Sequence, residues 1–342
     1  MKIVKKYQKS GKNTSFLAKI CAKNDRAGWA SIAFFALILA PLHSLCAQSP
    51  SGDVFLFSYF MGNGDGLHWA RSDDGLNWTA VGGGKSFLAP LVGEMKLLRD
   101  PCVLRGPDGV FRLVWTTGWS GHTIGYADSR DLVHWSEQKA IPVMAQEPTA
   151  ENCWAPEVIY DPIHRDYLIF WATSIPGRFP GTDNTGHLGS DHKELNHRIY
   201  STTTRDFVSF TPTRLLYDGG FDVIDATMAR NGGEWLFFVK NETERPVAAK
   251  NILLVRARTP EGPFLAPSPP ITGAYWAEGP TSIRIDGAWY VYFDKYRDKK
   301  FGVVRSRDLA HWEDLSDRLH MPEGIRHGTV IRVPRVLADG LQ

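Results

Sequence analysis

Ser129-Arg-Asp-Leu-Val-His-Trp135 and Ser306-Arg-Asp-Leu-Ala-His-Trp312 are nearly the same heptapeptide, far apart in one chain. Looser copies stand at Ser72-Asp-Asp-Gly-Leu-Asn-Trp78, Thr204-Arg-Asp-Phe-Val-Ser-Phe210 and Arg258-Thr-Pro-Glu-Gly-Pro-Phe264. Each is a polar turn that runs into an aromatic residue. The closing aromatics are 57, 75, 54 and 48 residues apart. A period of roughly 50 residues is the mark of a repeat architecture.

Two further motifs keep the same order. An aromatic-rich apolar run precedes each turn: Phe55–Tyr59, Phe111–Trp115, Tyr167–Trp171, Trp235–Val239 and Trp289–Phe293. These β-branched and aromatic stretches have strand length and are bounded by turn residues. A polar opener leads a third motif, at Asp100, Glu157, Asp225, Glu278 and His327. Units of this size with several strands each read as propeller blades. The fold expected is therefore all-β, a five-bladed β-propeller over 52–335. The fifth opener, His327, has too little chain after it for a blade, and Phe55–Tyr59 has no opener before it. The two halves make one blade if the C-terminal strand pairs with the N-terminal hairpins, which also removes the free sheet edges.

Composition agrees with a globular body: 43% hydrophobic residues and 12 Trp in 342. The formal charge of +2 hides an asymmetry. Residues 1–47 carry eight Lys/Arg and one acid, whereas the remainder has 31 Lys/Arg against 36 Asp/Glu. An acidic body argues against nucleic acid as a partner. The basic start, the apolar run 29–42 and the small residues near 46–48 have the layout of a secretory signal. That run is shorter than the roughly 20 residues a membrane span needs, so cleavage near 46–48 and export to the periplasm or medium are expected. Oligomeric state is not legible. Cys102 and Cys153 admit either a disulfide or two buried free thiols.

The first strand of each propeller blade lines the central channel, so the five openers are expected to form one ring at its mouth. Several carboxylates converging on one funnel is a costly arrangement that marks functional sites. By contrast, the turn aspartates Asp131, Asp206 and Asp308 are read as turn formers. The loops between second and third strands overlook the ring, and the longest, within Thr173–His197, is expected to wall the pocket. It carries His187, His192 and His197, read as part of a solvated loop because their spacing fits no zinc pattern. Two carboxylates across a sugar-sized funnel suit glycosidic bond cleavage, with a third tuning the acid by repulsion. Trp119, Trp154 and Trp276 are candidate platforms for sugar faces.

Arg99-Asp100-Pro101, Ile224-Asp225-Ala226 and Ala277-Glu278-Gly279-Pro280, each opening its own blade, resemble glycoside hydrolase family 43. Trp154-Ala-Pro-Glu157 and Arg326-His327-Gly328-Thr329 extend the resemblance over 52–335. The resemblance implies that Asp100 is the general base, Asp225 the pKa modulator and Glu278 the general acid of an inverting reaction. It places His327 in the channel near a bound ion or water, with no cofactor required and a calcium-like structural ion as the candidate. Glu157 stands where many members carry Asp, which makes it a substrate-contact candidate, as is Arg326. Ala226 replaces the proline common in the family, and Asp222 lies close enough to compete with Asp225 for its role. An exo-acting enzyme on α-L-arabinofuranosides or β-D-galactofuranosides of polysaccharide side chains is the reading preferred. A β-xylosidase, an endo-acting member and a non-catalytic sugar-binding propeller stay open.

Overall fold

The computed structural model describes residues 52–182, 186, 188–189 and 194–341. The expected signal segment and its cleavage point lie outside them, as do His187 and His192. Five antiparallel sheets follow one another along the chain, with almost no helix. Blade one holds strands Arg99–Arg105, Phe111–Thr116, Ile124–Ser129 and Lys139–Ile141. Blade two holds Trp154–Asp161, Asp166–Ser174, His197–Thr204 and Arg214–Tyr217. Blade three has Val223–Asn231, Glu234–Asn241 and Asn251–Ala257, and blade four has Glu278–Ile285, Ala288–Lys295, Lys300–Ser306 and Glu313–Asp314. Blade five closes the ring as expected. Val330–Pro334 pairs with Asp53–Tyr59, from Asp53 opposite Pro334 to Phe57 opposite Val330. His68–Ser72 and Thr79–Ala80 complete that sheet.

Blade three lacks a fourth strand, and its sequence says why. Pro263, Pro267, Pro269 and Pro270 have no N–H to give a ladder. The segment still follows the third strand where donors remain, through Leu265 N–H to Arg256, Ser268 N–H to Leu254 and Ile271 N–H to Ile252.

The core is five clusters, one at each interface between neighbouring blades. Alternate residues of the aromatic strands feed the two flanking clusters, since side chains alternate across a sheet. Trp171 and Ile169 face blade one, whereas Phe170 and Leu168 face blade three. Cys102 and Cys153 are buried free thiols in the cluster between blades one and two.

The repeated turns are caps of one design. Asp131 Oδ1 accepts the N–H groups of Val133 and His134, and Asp206 and Asp308 do the same two and three residues on. The preceding hydroxyls of Ser129, Thr204 and Ser306 accept from Leu132, Phe207 and Leu309. Those three residues adopt the left-handed conformation, at φ of 66°, 55° and 62°. The turn bonds and the burial of the side chains offset the roughly 1–2 kcal/mol this conformation costs. The three aspartates are structural.

Candidate active site

Each of the first four blades opens with a register shift against its second strand, between Arg99 and Cys102, Trp154 and Glu157, Ile224 and Thr227, and Glu278 and Thr281. The first bulge residue has positive φ every time: Asp100 (53°), Ala155 (43°), Asp225 (47°) and Gly279 (57°). A bulge bends the strand and re-aims its side chains, here at the mouth of the channel. Gly279 is required for a second reason, because a Cβ there would overlap the His327 ring.

The bulges put the openers at three depths instead of one ring. Glu278 shares the outer level with Arg99, Trp154 and Ile224. Asp100 and Asp225 share the next with Ala155 and Gly279. Glu157 lies deeper still, level with Cys102, Thr227 and Thr281, and accepts a hydrogen bond from Thr227 Oγ1 at 2.8 Å. It lines a small void under the site with Pro156, Ala226 and Pro280. It is not among the residues that line the larger cavity, because it opens its motif two residues later than Asp100 does. Burial pushes its carboxyl up to about 8, against the hydrogen bonds from Thr227 and Met228 and the charge of His327.

Above that void is a cavity of about 690 Å³. Asp100, Asp225, Glu278 and His327 reach it together with Trp119, Trp154 and Arg326. Leu188, Gly189 and Leu195 of the long blade-two loop form part of its wall, as expected. A second cavity of about 770 Å³ lies on the flank of blades one and two, around the Arg178–Glu147 ion pair, away from these carboxylates.

The acids differ in their surroundings. Asp100 Oδ1 is 2.9 Å from His327 Nε2, and its Oδ2 accepts from Thr116 Oγ1 at 2.6 Å. Burial opposes ionisation, yet His327, Arg99 and Thr116 together hold the carboxyl well below the usual range. Asp225 Oδ2 accepts the Gly279 N–H at 3.0 Å. Burial and the charges of Glu278 and Asp100 push it up to about 6, against His327 and Lys240. Glu278 is gripped at both oxygens, by Lys240 Nζ at 3.0 Å and Arg326 Nη2 at 2.9 Å. Burial works against ionisation there too, but Lys240, His327 and Arg326 keep Glu278 below the ordinary carboxylate range. His327 is buried, which disfavours its charge, but Asp100, Asp225 and Glu278 push it up to about 9.

The three carboxylates thus favour the charged imidazole of His327, whose Nε2 touches Asp100. Among the described residues no group of three or more His, Cys, Asp or Glu is placed to hold a metal ion.

Several site residues were not anticipated. Thr116 also accepts the Ala155 N–H at 2.8 Å, so it ties Asp100 to the next blade. Lys240 and Asp294 stand opposite Ile224 and Glu278 across the blade ladders. Their place is legible only once register is known. Lys240 also meets Glu242 at 2.6 Å, and Asp294 accepts from Arg326 Nε at 2.6 Å. Arg326 therefore lines the cavity as a clamp on two carboxylates. Trp276 is not among the lining residues; Arg297 and Lys250 lie over its ring, which packs against Tyr296, and Tyr296 takes the wall position. His197 is fully buried, not solvated. Its Nδ1 is 3.1 Å from Asp222 Oδ1 and its ring lies 4.9 Å from that of Trp154. Asp222 is committed to this contact, and Asp225 alone of the two reaches the cavity.

Residues 52–339 match the family model described as a probable glycosyl hydrolase domain, related to glycoside hydrolase family 43. An α-L-arabinofuranosidase of Bifidobacterium longum subsp. longum is 28% identical over 226 residues, which are 55% of this chain and 21% of that protein. The chain thus spans about a fifth of the length of this curated relative. The α-L-arabinofuranosidase of Lactobacillus brevis superposes with a TM-score of 0.51 at 15% identity, over 64% of this chain and 72% of the other. An exo-β-1,3-galactanase of Phanerochaete chrysosporium reaches 0.48 at 13%, over 63% and 49%. The likeness to the Lactobacillus enzyme shows the fold.

Proposed function

Given that the chain belongs to the family of probable glycosyl hydrolase domains related to glycoside hydrolase family 43, we propose that it is an exo-acting glycosidase that hydrolyses terminal α-L-arabinofuranosides with inversion. One observation carries the reading: three carboxylates whose surroundings shift their ionisation in different directions face one cavity of sugar size. Asp100 is ionised and fixed by His327 and Thr116, as a base for water requires. Asp225 and Glu278 interact strongly enough to titrate as a pair, so one proton belongs to both. Below about pH 6 the empty site holds it on Asp225, because Lys240 and Arg326 favour the Glu278 anion. A sugar that enters excludes water and loosens the Arg326 grip. The proton then moves to Glu278, which delivers it to the leaving oxygen while Asp100 takes one from the attacking water. Inversion needs about 6.5–9.5 Å between acid and base, and blade five separates the two blades that carry them. The arabinofuranoside preference is supported by the Bifidobacterium relative.

A second reading is a sugar-binding propeller without catalysis, and the doubly clamped Glu278 is what favours it. Release of nitrophenol from aryl α-L-arabinofuranoside, β-D-galactofuranoside and β-D-xyloside separates the two. Wild type is compared with Asp100→Ala and Glu278→Ala, and proton NMR of the first-formed sugar reads the anomer. Activity on the arabinofuranoside that Asp100→Ala abolishes, with inverted product, is expected. Undiminished activity in Asp100→Ala refutes the base, and silence on all three sugars favours the binding reading.

A further inference from the structure

Four cations line the cavity, and three are committed to carboxylates. Lys240 meets Glu278 and Glu242, Arg326 meets Glu278 and Asp294, and His327 meets Asp100. Arg99 is the exception: among the described residues no carboxylate lies within ion-pair distance of it. Its Nη1 donates to the Asn63 amide oxygen at 2.8 Å. Its guanidinium carbon lies 4.5 Å from the Phe60 ring centre and 4.3 Å from that of Trp119. Phe60 is fully buried and Trp119 is half exposed at the cavity rim.

This is a rigid cation with donors to spare. Guanidinium N–H groups lie in the plane of the group, so stacking on rings leaves them open at the edge. Asn63 uses one edge and fixes the rotation. The rings remove rotamer freedom before any ligand arrives, which lowers the cost of binding. Asp100, its chain neighbour, is already neutralised by His327. The charge on Arg99 also favours the Asp100 anion through space, but its fork of donors meets no carboxylate among the described residues, and that planar fork matches one.

We propose that Arg99, held between Phe60 and Trp119, binds the carboxylate of a uronic acid in the glycan substrate. The uronic acid is a neighbour of the sugar that is cleaved, because Arg99 stands at the outer level of the funnel with Trp154. The proposal deepens the glycosidase reading by making the substrate an acidic glycan. Trp119 meets Trp154 edge to face at 6.2 Å, and Trp154 Nε1 donates to the Trp119 carbonyl at 3.0 Å, so the sugar-facing corner beside Arg99 is also fixed.

The test is calorimetric binding of methyl β-D-glucuronide and methyl β-D-glucoside to the wild-type protein. These differ in one carboxylate and are not furanosides. A charge-assisted pair predicts that the glucuronide binds about ten-fold tighter or more, and that added salt erodes the difference. Arg99→Gln is expected to erase the preference and Arg99→Lys to keep part of it. Equal affinities in wild type, no binding of either sugar, or a preference that survives Arg99→Gln each overturn the proposal. So does a glucoside 6-sulfate that binds where the glucuronide does not. The wild-type comparison stands if the variants fail to fold. Failure on aryl glycosides with the glucuronide preference intact sinks the glycosidase reading alone.

Discussion

Replacing His327 with Gln should cost stability at pH 6 and almost none at pH 10. In the fold His327 is buried, 2.9 Å from Asp100, and its imidazole is pushed from 6.5 up to about 9. The folded protein holds this proton more tightly than the unfolded chain does. The stabilisation is therefore complete below about pH 6.5 and disappears as pH rises through about 9. At 1.36 kcal/mol per pKa unit, the shift corresponds to about 3 kcal/mol. An independent estimate agrees: removing one partner of a buried ion pair costs roughly 3–5 kcal/mol. Gln keeps a donor and much of the volume but carries no charge. Urea unfolding followed by tryptophan fluorescence at pH 6, 8 and 10 measures the difference between the two proteins. A gap of about 3 kcal/mol at pH 6 that closes by pH 10 is expected. A gap that stays constant across this range refutes the argument, because His327 would then act by packing and not by charge.

Thr116→Val strips a donor from Asp100 and an acceptor from the Ala155 N–H. It should destabilise by about 1–3 kcal/mol and raise the acidic limb of the kcat/KM profile, read by denaturation and by rates against pH. Lys240→Met leaves Glu242 and Glu278 without their shared cation and raises the Glu278 carboxyl. The alkaline limb should move upward, and a profile unchanged from wild type would count against the clamp. Burial pushes the Cys102 and Cys153 thiols up, so iodoacetamide should leave both unmodified in native protein and label both in urea, as peptide mass mapping will show.

The repeat was legible because its signals are local. Ser-x-Asp or Thr-x-Asp forms four of the five turns by hydrogen bonds within the turn itself, and a strand between two blades must be apolar on both faces. Even the correct ring could be counted out. Arg105, Tyr160, Arg230, Arg284 and Arg332 are equivalent, and five residues before each stand Asp100, Ala155, Asp225, Gly279 and His327. Aligning on the polar residue instead put Glu157 too high and Glu278 too low by a residue or two. In a bulged strand that displacement changes which chamber a side chain enters. Pairing partners were hidden for a related reason. Lys240 and Asp294 end second strands, and which opener each faces is a matter of register.

The sequence alone determined five repeated units, their closure through Val330–Pro334, and three acids that open separate blades, since periodicity and turn chemistry act over a few residues. Only the tertiary structure decided which acid is ionised and which charges are spare. Ionisation depends on burial and on cations that arrive from other blades: His327 on Asp100, and Lys240 and Arg326 on Glu278, while Arg99 meets Asn63 and two aromatic rings. Charges separated by tens to hundreds of residues become neighbours only when the ring closes, and electrostatic energy depends on that distance and not on the order of the chain.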